Sequence, residues 1–130
     1  MFSPKTLDRL SAEHIIWMTT VTPGGQPQAS PVWYLWDGSV FWVYSLDPTR
    51  RLDNIAANPR VSLSLNSDDA GSNIVVVEGN AEVVTDAPQS YEVPGYLARY
   101  ENRMSPWGGP QGFAAKYSAA IKITPTRVRE

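Results

Sequence analysis

Runs of β-branched and aromatic residues, each closed by a turn signal before the next begins, constrain this chain more than any other feature. His14-Ile-Ile-Trp-Met-Thr-Thr-Val21 is followed by the turn Thr22-Pro-Gly-Gly-Gln26. Pro27 to Trp36 ends at Asp37-Gly38, a hairpin signal, and Ser39 to Ser45 continues from it. Arg60 to Asn66 alternates polar and apolar residues, as a half-buried strand does, and a polar loop follows from Ser67 to Ser72. Asn73 to Thr85 reads as a long strand with Gly79 as a bulge or kink, and Ala119 to Val128 as a closing strand. Six strands, mostly joined by links of hairpin length, predict a mainly β antiparallel barrel with short flanking helices. Residues 1–130 carry no repeat, low-complexity stretch or composition break, so one domain is expected.

Helices enter this pattern as inserts. Pro4 to Glu13 follows Ser3 as cap, with Leu7 and Leu10 expected to face inward. After Asp86 a helical region holds Tyr96, Leu97 and Tyr100 on one face, with Pro94-Gly95 breaking it in two. Ser105 to Gly112 is a turn-rich loop around Trp107, and Phe113 to Tyr117 adds a helical turn. Trp107 is read either as a substrate-facing lid or as a surface cap over the barrel.

The helix that opens with Arg50 and Arg51 carries a conflict. Thr49 is placed to cap it, Leu52, Ile55 and Ala56 form its apolar stripe, and Pro59 stops it. The positive end of a helix dipole disfavours cations in the first turn. A bound anion, above all a phosphate, resolves the conflict, because backbone N–H groups, a hydroxyl and two guanidinium forks then face one ligand. Asp47 and Asp53 neutralising two solvated arginines is the competing account, and the stretch alone does not choose between them.

Several function classes are excluded or disfavoured. Without cysteine there is no disulfide, no thiol catalysis and no zinc–thiolate site. His14 is the only histidine, so neither a Ser-His-Asp triad nor a multi-histidine metal site can be built in one chain, and no metal site is expected. A net charge of −2 lacks the basic footprint of a nucleic-acid binder. No apolar run reaches membrane-span length and no signal-peptide pattern opens the chain, so no membrane partner and a cytoplasmic location are expected. Asp68-Asp69 reads as a solvated pair, and Glu78 as one half of an ion pair with an arginine.

The order of motifs carries a resemblance. The segments are Gln26-Pro-Gln-Ala-Ser-Pro-Val-Trp-Tyr-Leu-Trp-Asp37, Phe41-Trp-Val-Tyr-Ser45, Thr49-Arg-Arg-Leu-Asp-Asn-Ile55, Asn58-Pro-Arg-Val-Ser-Leu63 and Val77-Glu-Gly79. Together they resemble the flavin and deazaflavin oxidoreductases with the split β-barrel of the pyridoxamine 5′-phosphate oxidase type. The likeness is nearest to the actinobacterial branch that uses the deazaflavin coenzyme F-420. It covers residues 5 to 85 well and the C-terminal third loosely. The resemblance implies a six-stranded split barrel and a homodimer with cofactor grooves between subunits. It implies an isoalloxazine-type ring laid along Gln28, Ala29, Ser30, Pro31 and Val32. It implies a phosphate held by Ser45, Thr49, Arg50 and Arg51 with help from Asn54, and a ring contact from Asn73. Many deazaflavin-using relatives carry Lys at the position of Arg51; arginine keeps the charge and adds a bidentate fork.

No side chain reads as a nucleophile with its base, so the catalytic residues are unassigned and a cofactor is expected to do the chemistry. The implied reaction is hydride transfer from reduced F-420 to a small conjugated or quinone-like acceptor. Two alternatives stand beside it: an FMN-dependent oxidase or reductase of the same fold, and a non-catalytic protein that sequesters cofactor or haem.

Overall fold

The computed structural model describes all 130 residues, Met1–Glu130. One antiparallel sheet organises it, built from β1 (Ile16–Val21), β2 (Pro27–Val32), β3 (Leu35–Trp36), β4 (Phe41–Ser45), β5 (Arg60–Ser64), β6 (Val76–Val84) and β7 (Ala119–Arg129). Four helices flank it: α1 (Pro4–Ala12), α2 (Arg50–Ala57), α3 (Pro94–Tyr100) and α4 (Pro110–Lys116). The hydrogen-bonded order is β2-β1-β5-β6-β7-β4-β3, seven strands where the sequence pattern predicts six. The extra strand comes from the stretch Pro27 to Trp36. Trp33 and Tyr34 interrupt it, and the two pieces pair with different partners, β2 with β1 and β3 with β4.

That interruption curls the sheet. β2 and β3 are its two edges, yet only residues 33 and 34 lie between them. The three Cα steps from Val32 to Leu35 span at most about 11 Å. The edges must therefore approach one another, and the concave face closes on a core of Ile16, Met18, Tyr34, Phe41, Val43, Leu63, Val77, Ile121 and Ile123. β5 supplies Val61 and Leu63 by simple alternation. The bulge at Glu78/Gly79 bends β6 against β7; a Cβ on Gly79 would stand 2.8 Å from the Thr124 carbonyl oxygen.

A second apolar cluster lies on the other face of β4 and β7. Tyr44 and Ala120 point away from the first core and pack with Tyr96, Tyr100, Met104 and Phe113 of the helical insert. β4 is thus buried on both faces (Phe41, Val43 and Tyr44), which explains its unbroken aromatic and β-branched composition. Arg99 ties the insert to the rest of the chain. It donates to the carbonyls of Tyr34 (3.0 Å), Leu10 (3.2 Å), Ser11 (2.9 Å) and Glu13 (2.7 Å). The last three are carbonyls at the end of α1 and just beyond it, where a helix leaves acceptors unpaired.

At the other end of α1 Ser3 caps the helix through its hydroxyl, and the Glu130 carboxylate accepts from the Ser3 amide, the Ser3 hydroxyl and the Thr6 hydroxyl. Leu10 is buried, but Leu7 is 43% exposed and does not face inward as expected. The expected strand from Asn73 begins only at Val76, and the helical region divides at Pro94 as expected, a 3-10 turn over Ser90–Glu92 preceding α3. Glu78 sits opposite Arg127 across the ladder without an ion pair; the ion pairs formed are Arg9–Glu13 and Lys122–Glu82. No helix is long and apolar enough to cross a membrane.

Candidate functional site

The site forms where edge strand β2 meets α2 and the insert. Alternation puts Gln28, Ser30 and Val32 on the face toward α2 and exposes Ala29 and Pro31. The bond from Thr22 N–H to the Gln26 carbonyl sets the phase of the β1–β2 ladder. Residues 28, 30 and 32 then exchange bonds with β1, and residues 27, 29 and 31 turn their backbone groups to the open edge. Prolines 27 and 31 fall where a missing N–H costs the ladder nothing. Ala29 keeps its N–H and C=O outward, a donor and acceptor pair on the free edge.

α2 presents Arg51 and Asn54 to this edge. The Arg51 guanidinium donates to the Ser45 hydroxyl (3.1 Å) and the Ser30 hydroxyl (2.7 Å), so β4, α2 and β2 converge on one cation. No carboxylate pairs with it, so the competing account, neutralisation by Asp47 and Asp53, does not hold for Arg51. Burial lowers its pKa below the usual guanidinium value, and the nearby Tyr117 phenol acts in the opposite sense. Asn54 is 3% exposed and donates to the Thr20 hydroxyl (3.0 Å) and the Gln28 side-chain carbonyl (3.0 Å), fixing Gln28 in place. Thr49 occupies the cap position of α2 with extended backbone, but its hydroxyl makes no capping bond. That oxygen is buried and unpartnered.

Two expected members stand elsewhere. Arg50 is exposed and does not line the pocket, because one residue along a helix turns the side chain about 100° away. Asn73 has a left-handed backbone (φ 55°) and belongs to the polar loop, donating to Asp68 (2.7 Å) and accepting from Lys5 (2.6 Å). Asp68 also accepts from the amides of Ala70 and Ser72, so it organises its own loop.

A cavity of about 320 Å³ opens beside Arg51, lined by Ile15, Pro31, Val32, Trp33, Tyr44, Leu46, Trp107, Phe113 and Tyr117. A depression of about 490 Å³ on the outer face of β1, β5 and β6 is larger but lined by mostly polar residue types and no aromatic one. We assign the site to the former, where one unpaired cation sits among apolar walls. Its aromatic wall is ordered by stacking. Trp33 lies flat between Tyr100 (4.6 Å, 1°) and Phe113 (4.9 Å, 17°), and Phe113 stacks on Tyr117 (4.5 Å, 13°). Trp107 stands edge-on to Trp33, Phe113 and Tyr117 and lines the cavity. Its backbone is held close: a Cβ on Gly112 would meet the Trp107 carbonyl oxygen at 1.8 Å.

Phe113, Tyr117, Tyr44, Leu46 and Ile15 also line this pocket, and no sequence motif marks them for it. Their signal was the density of aromatic residues between 100 and 117, but nothing local shows that this insert folds back over β2. His14, the only histidine, packs edge-on to Tyr100 (5.8 Å) and is not among the cavity residues. Burial, reinforced by Arg103 and Arg99, lowers its pKa.

Residues 2–130 match the family model described as pyridoxamine 5′-phosphate oxidase, and the chain belongs to that family. Among solved structures it is similar to an F-420 reductase at 28% identity, covering 89% of each chain with a TM-score of 0.70. It is also similar to a FAD-binding protein from Mesorhizobium loti, at 18% identity over 98% of this chain and 90% of that one (TM-score 0.69). The haem-storage protein HutZ from Vibrio cholerae shares 16% identity over 98% and 92% of the two chains (TM-score 0.69). The last two likenesses concern the fold alone.

Proposed function

We propose that this chain is a reductase that uses a phosphate-bearing flavin-type cofactor, coenzyme F-420, to transfer a hydride to a small conjugated or quinone-like acceptor. The observation that carries the reading is Arg51: a partly desolvated guanidinium, oriented by two neutral hydroxyls and facing an aromatic cavity, with no acidic partner. Leaving a cation so placed is costly unless an anion arrives. The unpartnered Thr49 hydroxyl at the head of α2 fits the same anion. A cofactor bound there supplies the hydride chemistry; the protein binds and orients.

Arg51, Thr49 and Ser45 would hold the phosphate. The outward N–H and C=O of Ala29 would meet the polar rim of the ring, with Gln28 and Ser30 beside it and Pro31 and Val32 beneath. The 28% identity to an F-420 reductase favours F-420 over FMN. Haem storage lacks support in this cavity, which offers no imidazole to iron.

We further propose a homodimer in which a second copy covers the outer sheet face, where Trp17 of β1 is 41% exposed. Titration with F-420 and with FMN, followed by tryptophan fluorescence, tests both parts of the proposal when the same samples are run by sedimentation equilibrium. Trp33 and Trp107 line the cavity and report occupancy. Micromolar quenching by F-420 on a dimer is the expected result. No quenching by either cofactor, or a monomer at all concentrations, overturns the corresponding part.

A further inference from the structure

The aromatic cavity contains two phenols, Tyr44 and Tyr117, and only one is free. The Tyr44 hydroxyl donates to the Pro88 carbonyl (2.7 Å), and burial, with Glu92 adding to it, pushes its pKa up to about 12. The other lining residues are apolar side chains, indoles and Arg51, none of which gives up a proton readily. Tyr117 differs in every respect. Its ring is clamped by stacking on Phe113 (4.5 Å) and by the edge contact with Trp107 (5.5 Å), while no protein acceptor holds its hydroxyl. Its position is set by its place just after α4, where its backbone N–H closes the helix on the Phe113 carbonyl. It is partly exposed, so water reaches it, and its phenol interacts electrostatically with Arg51.

We propose that Tyr117 supplies the proton that completes reduction of the acceptor, a role that rests on the redox reading above. A conjugated acceptor gains a hydride at one end of its π system and a proton at the other. The hydride, with its electron pair, comes from the reduced flavin-type cofactor, which is thereby oxidised. The Tyr117 O–H bond breaks, the proton bonds to the acceptor, and the bonding pair stays on the phenolate oxygen. Tyr117 is partly exposed, so water at the cavity mouth returns a proton to the phenolate.

Tyr117→Phe keeps the ring and its stack, so the fold is preserved. With cofactor bound, kcat for an enone acceptor should fall about a hundredfold with KM unchanged, within the range general acids supply. Cofactor affinity, read by tryptophan fluorescence, should stay within about twofold, since the substitution leaves Arg51 and its bonds to Ser30 and Ser45 in place. A third readout needs no turnover. 4-Nitrophenolate mimics the oxyanion of the half-reduced acceptor, and its absorption band reports binding. The substitution should weaken that probe about tenfold, the loss of one hydrogen bond to a charged group.

Unchanged kcat and unchanged probe affinity would overturn the proposal, as would a loss of cofactor binding that accounts for the whole effect. If the wild-type protein binds neither F-420 nor FMN, the redox reading fails instead. The probe, run on the protein alone, then still decides whether Tyr117 donates to an oxyanion.

Discussion

Replacing Arg51 by methionine should separate binding from stability, and the structure says by how much. A guanidinium carries five N–H donors. Two are committed, to the hydroxyls of Ser30 and Ser45, so three remain for a ligand. A phosphate gripped by two of them gains charge-assisted bonds of about 1.5–3 kcal/mol each. Part of this is offset because the methionine variant no longer holds a desolvated charge, leaving a net loss of about 3 kcal/mol. At about 1.4 kcal/mol per tenfold, the dissociation constant rises roughly a hundredfold. The unliganded protein should not suffer. Arg51 makes no ion pair to lose, and Ser45 keeps its bond to the Leu46 carbonyl (3.0 Å). Urea unfolding without cofactor should therefore show a change within about 0.5 kcal/mol, or a gain. Arg50→Met is the control. Arg50 is exposed, and an exposed charge contributes at most about 1 kcal/mol, less than a tenfold change. The reasoning is refuted if Arg51→Met destabilises the free protein by more than about 2 kcal/mol while cofactor affinity holds, since Arg51 would then be a structural strut.

Two other perturbations follow from the packing. Arg99→Met should destabilise by about 3–4 kcal/mol, because four carbonyls near the end of α1 and at the barrel seam lose their donor. A drop below 1 kcal/mol in a denaturant titration would show that water replaces it. Stability should also decline as pH rises above 10. Burial raises the pKa of Tyr34 and Tyr44 to about 12, and it raises Tyr96 and Tyr100 too. A phenol whose folded pKa is raised adds stability that is complete below the unfolded value near 10 and is lost as pH climbs toward the folded value. Urea midpoints at pH 8, 10 and 11.5 should fall in the last interval, and Tyr44→Phe should reduce the slope; a flat series contradicts the burial account.

Local chemistry made much of the fold legible. The hairpin at Asp37, the alternation of β5, the bulge at Gly79 and the Ser3 cap are all short-range effects, and each is where the sequence places it. Long-range effects were not legible. Pro27 to Trp36 has the composition of one strand, and only the closing of the sheet forces a break at Trp33 and Tyr34. Helical spacing predicts Leu7 on the inner face, but α1 covers the barrel with Leu10 and leaves Leu7 exposed. The anion cradle was half legible. Arg51 and Ser45, read together from the resemblance, do meet, and Ser30 joins them from β2, while Arg50, adjacent in sequence, turns to solvent. Adjacency in a helix is not adjacency in space, and no pattern within Thr49 to Asn54 says which arginine faces the sheet.

The position of the cavity follows from the same closure that splits the second strand. A curled sheet whose edges almost meet leaves a seam, and at the seam backbone groups lack strand partners. Tyr34 is fully buried there, its amide bonded to the Tyr100 hydroxyl (2.8 Å). Trp33, its neighbour, is forced to the opposite side by alternation and becomes the middle of the aromatic stack that walls the cavity. The helical insert is therefore required twice: α3 satisfies the seam through Arg99 and Tyr100, and residues 107 to 117 build the cavity wall from the other end of the same insert. Stability of the seam and shape of the site are then coupled, so substitutions in α3 that loosen the seam should also change the cavity, without touching Arg51.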